Sequence, residues 1–205
     1  MKFFKENSYD IVRLFINQVG ITIFSFVLYT ALQFDLDPQT TLTIRICLSV
    51  FATLFYLALL YTAAWEFGAK DKLRIDSGKY RKQPLKGPFM SLFANVPNLV
   101  LAIGALVCFL IYSAAASEVA YSIFAVLNSL MRFISAMYIG IIQGIFSFLP
   151  DDSSMTWLCE TVAFAVSPIF AIAATQLGYS LGLREFRIIS LFKSGDDKGA
   201  PKSNI

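Results

Sequence analysis

No histidine occurs anywhere among the 205 residues, and that absence removes more chemistry than any other feature of the chain. The histidine-based nucleophile–base pair of membrane hydrolases and the histidine-ligated zinc site both lose their essential group. Cysteine is scarce, and Cys47, Cys108 and Cys159 all lie inside apolar runs. An odd count without paired spacing is no disulfide framework, and such cysteines act as small hydrophobes. Charge is also thin, at 15% of residues against 57% hydrophobic. Soluble domains sit near ~25% charged and ~45–50% apolar, so this composition favours burial in a membrane. Asp-Ser-Gly-Lys-Tyr at residues 76–80 lacks the upstream glycine and the following hydroxyl residue of a phosphate loop, which excludes nucleotide binding there. Asp151-Asp152 has no further acidic ligands beside it and reads as a helix boundary. No catalytic residue, cofactor or metal is expected.

What the chain has instead is a series of long apolar runs. A helix rises about 1.5 Å per residue, so about twenty residues cross a hydrocarbon core of about 30 Å. Residues 14–34, 42–67, 89–114 and 161–183 meet that length. Between the second and third runs lies a basic loop, residues 68–88. It carries Lys70, Lys72, Arg74, Lys79, Arg81, Lys82 and Lys86 against Asp71 and Asp76, a net +5. A loop this basic is hard to translocate, which predicts that it is cytoplasmic. The first run follows Lys2, Lys5 and Arg13 and exceeds the ~7–15 apolar residues of a signal peptide, so it is expected to be a retained span. The acidic turn Asp35-Leu36-Asp37-Pro38 then lies outside, with Arg45 reaching toward Asp37.

Residues 119–149 are too long for one ordinary span and too short for two. Asn128, Arg132, Ser135, Gln143 and Ser147 recur at helical spacing and share one face. An amphipathic or re-entrant hairpin entering from the outer side keeps the basic tail, with Arg184, Arg187, Lys193, Lys198 and Lys202, in the cytoplasm. A single crossing over residues 133–149 is the alternative. Residues 193–205 form a polar tail that is expected to be disordered.

Five polar residues are candidates for a ligand or transport role: Asn95, Asn98, Arg132, Gln143 and Glu160. Asn95 and Asn98 flank Val96-Pro97, where proline frees the carbonyl of Phe93 one turn earlier. Ser167-Pro168 predicts a second kink. Arg132 and Glu160 are ionisable groups in or beside the apolar layer, where a charge costs roughly 2.5–3.5 kcal/mol, so they are expected to pair. That pair serves either as a clamp or as part of a transport site. Gly140–Gly144 and Gly178–Gly182 are small-xxx-small patterns that allow close helix approach, within the chain or in a homodimer. Fixing topology is the economical reading of the seven basic residues. Contact with anionic headgroups or an acidic partner is the functional one. Nucleic-acid binding is not expected, because only Tyr80 accompanies the charge.

The stretches YTAAWEFGAKDK and SGKYRKQPLKGPFMSLFANVPNLVL, with LGYSLGLREFRI downstream, resemble small multi-pass membrane proteins of Gram-positive bacteria that carry no assigned activity. The resemblance covers about a third of the chain and implies a bacterial plasma membrane without implying a mechanism. The expected fold is an all-α polytopic bundle of four spans plus an outer hairpin, with both termini cytoplasmic. The expected function is that of a non-enzymatic accessory or membrane subunit of a transport or envelope system, with the basic loop as its contact. A small transporter or channel, its path running past the five polar residues, is the competing expectation.

Overall fold

The computed structural model describes residues 2–31, 38–78, 83–149 and 154–184. Among these, every regular element is a helix and no strand occurs. The order is α1 (Lys2–Ala31), α2 (Pro38–Asp76), α3 (Lys86–Ala94), α4 (Val96–Ala115), α5 (Glu118–Ile134), α6 (Ile139–Phe146), α7 (Ser154–Val166) and α8 (Pro168–Gly182). Four stretches are long and apolar enough to cross a membrane: Asn7–Ala31, Thr40–Asp76, Val96–Ala115 and Met155–Gly182. Ile16, Val27, Leu54, Val100, Leu110, Phe170 and Leu177 are exposed along them. A lipid-facing surface accounts for so many outward apolar side chains, whereas water would drive them together.

Helix boundaries differ from the apolar runs because charge does not end a helix. Arg13 lies within α1 and donates to Glu66 of α2 at 2.6 Å. The second helix continues well past residue 67, so much of the expected basic loop is helical. Lys70, Lys72 and Arg74 lie in α2, and Ser77-Gly78 ends it. Ala, Lys, Leu and Arg are good helix formers, and no proline intervenes before that turn. Gly78 stops the helix with φ +71°, a left-handed conformation that glycine adopts without a steric penalty. At ~1.5 Å per residue the 39 residues of α2 extend about 58 Å, well beyond a hydrocarbon core. The acidic turn at residues 35–37, Lys79, Arg81, Lys82, the Asp151-Asp152 pair and the tail at residues 193–205 lie outside the described residues.

The two proline-associated breaks lie at Asn95 and Ser167. Pro97 and Pro168 occupy the first turns of α4 and α8, where a missing N–H does no harm. The Asn95 amide donates to the Ser91 carbonyl at 2.9 Å, and the Ser167 hydroxyl donates to the Phe164 carbonyl at 2.9 Å. At each break the side chain thus bonds back to a carbonyl of the preceding helix, and at Ser167 that carbonyl, Phe164, is the one that Pro168 frees.

Helices α5 and α6 meet at an 80° bend. Ser117 starts α5, its hydroxyl accepting the Ala120 N–H at 3.4 Å. Tyr112–Tyr121 and Phe109–Phe124 ring contacts lay α5 antiparallel along α4. The bend reaches mid-bundle. There the Thr22 hydroxyl donates to the Ile134 carbonyl at 2.7 Å and the Thr53 hydroxyl to the Met137 carbonyl at 3.2 Å. Helix α6 then returns along α2 toward the end from which α5 entered. The single polar face expected over residues 128–147 is therefore split at Ser135 between two helices.

Helix α2 is the spine. A β-carbon on Gly178 would collide with the Tyr61 carbonyl, and one on Gly182 with the Trp65 carbonyl. One on Gly140 would strike the Arg45 carbonyl, and one on Gly144 the Ile46 side chain. Both small-xxx-small patterns thus pack within the chain, seating α8 and α6 on different stretches of α2. The buried core along this spine includes Tyr56, Leu60, Ala64, Phe67, Met90, Met137 and Tyr179.

Candidate functional site

Polar groups gather at the two ends of the bundle. At the end where α2 begins, a cavity of about 460 Å³ is lined by Leu42, Arg45, Arg132, Gln143, Phe146, Ser147, Thr156 and Glu160. Arg132 reaches it from the last turn of α5 and donates through Nη2 to Glu160 Oε2. Their side chains are 34% and 10% exposed, so Glu160 is the more deeply buried member. Gln143 comes from α6, and its Oε1 accepts the Tyr29 hydroxyl at 3.0 Å. Arg45 comes from the first turns of α2 and lies over the Tyr29 ring, 4.8 Å from its centre. The bend at Ser135 makes this possible, because it aims α5 and α6 at one space.

At the opposite end, Asp71 is enclosed by α2, α3 and α8. Lys86 Nζ donates to Asp71 Oδ2 at 2.6 Å, and the Tyr179 hydroxyl donates to the same oxygen at 3.0 Å. Both charged side chains are only 2% exposed. Buried charges persist only when paired and hydrogen-bonded, and here one carboxylate oxygen takes two donors. Arg74 lies 3.9 Å away on the solvent side of α2. A second cavity, of about 220 Å³, sits beside this cluster between Asn7, Tyr9 and Asp10 of α1 and Phe67, Lys70, Asp71 and Arg74 of α2.

The expected ligand residues therefore divide. Arg132, Gln143 and Glu160 meet around the larger cavity. Asn95 and Asn98 do not line it; the Asn98 amide donates to Asn95 Oδ1 at 3.2 Å, and both are buried at the α3–α4 break. The basic residues divide as well. Lys70 and Arg74 are exposed and Lys72 is half-buried. Lys86 is buried against Asp71 and does not present its ammonium to a headgroup or partner. That corrects its place in the basic contact set, and the reason is the carboxylate 15 residues before it.

Three participants escape the sequence reading. Arg45 is read there only as an interfacial residue near Asp37, and Asp71 only as an offset to the basic charge. Gln18, Thr22, Ser25 and Tyr29 are the third, a polar stripe whose four-, three- and four-residue steps give one inward helical face. Gln18 is 1% exposed, with neither amide atom hydrogen-bonded among the described residues. Comparison with protein families, curated proteins and solved structures finds no match to this chain.

Proposed function

We propose that the chain is a non-enzymatic integral membrane protein, an accessory or membrane subunit of a transport or envelope system. Its basic end, read as cytoplasmic, presents charge to an acidic partner. One observation carries this reading: the basic segment is helical over its first half and tied down by a buried ion pair. Lys70 and Arg74 project from a continuous helix, and the buried Asp71–Lys86–Tyr179 cluster ties that helix to α3 and α8. Charges that serve only to set topology need no such fixed geometry, since any unstructured basic loop suffices. Fixed charges favour orientation-specific docking. In this topology α1, α2, the broken α3–α4 helix and the broken α7–α8 helix are four crossings. The α5–α6 hairpin is re-entrant from the outer side, so both termini are cytoplasmic, in a bacterial plasma membrane.

The test is association at the basic end. Lys70→Gln with Arg74→Gln should weaken binding of an acidic partner about fivefold, at roughly 0.5 kcal/mol per exposed charge pair. The wild-type association should also fall with added salt. Lys79, Arg81 and Lys82 remain to hold the orientation. If association and its salt dependence are unchanged, only the topological role of the charge survives. If the loss appears equally with protein-free anionic vesicles, the contact is with lipid.

A second reading, a small transporter, draws on one observation, the meeting of Arg132, Gln143 and Glu160 around one cavity. The separate bonding of Asn95 and Asn98 removes two members of its path, which leaves the accessory role as the better supported.

A further inference from the structure

The Arg45 guanidinium has no carboxylate partner among the described residues. It lies on the Tyr29 ring, and its Nε is buried without a hydrogen bond, as is the Nε of Arg132. Among the described residues, the ionisable side chains lining the larger cavity are Arg45, Arg132 and Glu160, a net +1. Glu160 is engaged by Arg132, so among the described residues the unbalanced charge belongs to Arg45. A guanidinium in an apolar layer calls for a counter-charge. We propose that this cavity binds a singly charged phosphodiester between Arg45 and Arg132. The inference rests on the cavity's own geometry and on neither functional reading above.

The donor set fits that chemistry. A planar guanidinium fork matches two phosphate oxygens at once, which an ammonium does not. Gln143 uses Oε1 to accept the Tyr29 hydroxyl, which leaves its Nε2 hydrogens as donors on the cavity wall. Tyr29 therefore acts twice, supporting Arg45 on its ring face and orienting Gln143 through its hydroxyl. Glu160 sets the charge limit. With Glu160 ionised, a monoanion neutralises the site and a dianion leaves excess negative charge. A volume of about 460 Å³ admits a glycerol-sized substituent beside the phosphate. Two sources offer this group: the headgroup of an anionic phospholipid, and a soluble phosphodiester.

Binding to the purified full-length protein in neutral detergent tests the proposal, read by native mass spectrometry and by the shift in thermal unfolding. The probes are phosphatidylglycerol, phosphatidylcholine, glycerophosphoglycerol and the dianion glycerol 3-phosphate. The wild type should bind phosphatidylglycerol in preference to phosphatidylcholine. Arg45→Gln should weaken that binding about tenfold or more, the loss expected for a charge-assisted hydrogen-bond donor, and Arg45→Lys should restore only part of it. Ser147→Asp, an exposed rim position, should weaken it without touching the core. Glu160→Gln should shift preference toward the dianion, a change that a purely structural glutamate would not produce. Equal affinity for glycerophosphoglycerol would identify a soluble ligand, and binding of the lipid alone would identify a membrane one. The proposal is overturned if folded Arg45→Gln and Ser147→Asp both bind phosphatidylglycerol as the wild type does, or if the wild type binds none of the anionic probes above the phosphatidylcholine level.

Discussion

Replacing Lys86 by methionine should lower the stability of the detergent-solubilised protein by about 3–5 kcal/mol, the cost of stranding a buried charge. Methionine matches the lysine stem in shape, so packing is largely kept. Asp71 would retain the Tyr179 hydroxyl at 3.0 Å, and Arg74 at 3.9 Å would be its nearest cation among the described residues. Arg74 is 65% exposed and screened, so it compensates little. Adding Asp71→Asn to Lys86→Met removes the stranded charge while leaving an amide for Tyr179. The double variant should therefore be more stable than Lys86→Met alone. Thermal or denaturant unfolding of the wild type, the single variant and the double variant measures this. If the double variant is the less stable, the pair is not coupled as its geometry requires.

Valine at Gly178 or Gly182 should destabilise by about 3 kcal/mol, the upper part of the usual overpacking range, or block folding. In both positions the obstacle is the backbone carbonyl of α2, at Tyr61 or Trp65, and no rotamer relieves it. Separating α8 from α2 would also pull Tyr179 away from Asp71, so the damage should spread to the buried cluster. Gly20 provides the control. A β-carbon there meets nothing within 4 Å, and Gly20→Ala should be neutral or stabilise α1 by up to about 1 kcal/mol. Unfolding midpoints compare the three sites, and similar values for all of them would remove the close α2–α8 seam.

How far the sequence discloses this arrangement depends on the range of the interaction. The four long helices are legible because bilayer thickness imposes a local length on apolar residues, and the breaks at Asn95 and Ser167 because proline acts within one turn. The Arg132–Glu160 contact is legible for a different reason: a charge in an apolar layer demands a partner, and few were available. The continuation of α2 through Lys70 and Arg74 is masked by the same charges that suggest a loop. Asp71 and Lys86 look like surface residues because their enclosure depends on where α3 and α8 dock. The cavity is half legible. Arg132, Gln143 and Glu160 stand out as polar interruptions of apolar runs, whereas Arg45 gains its role from the Tyr29 ring and from the bend at Ser135. Asn95 and Asn98 carry the same local signal as the cavity residues, yet they bond to the Ser91 carbonyl and to each other at a helix break.

Cysteine accessibility in intact cells tests the proposed topology most directly. In a background lacking Cys47, Cys108 and Cys159, single cysteines at Ser77 and Ser147 sample exposed positions at the two ends of the bundle. A third at Ser194 samples the tail. With four crossings and a re-entrant α5–α6 hairpin, a membrane-impermeant maleimide should label Ser147→Cys from outside and reach Ser77→Cys and Ser194→Cys only after permeabilisation. Outside labelling of Ser194→Cys would make the crossing number odd and turn the hairpin into a fifth span. Outside labelling of Ser77→Cys would place the basic end away from the cytoplasm and contradict the proposed contact altogether.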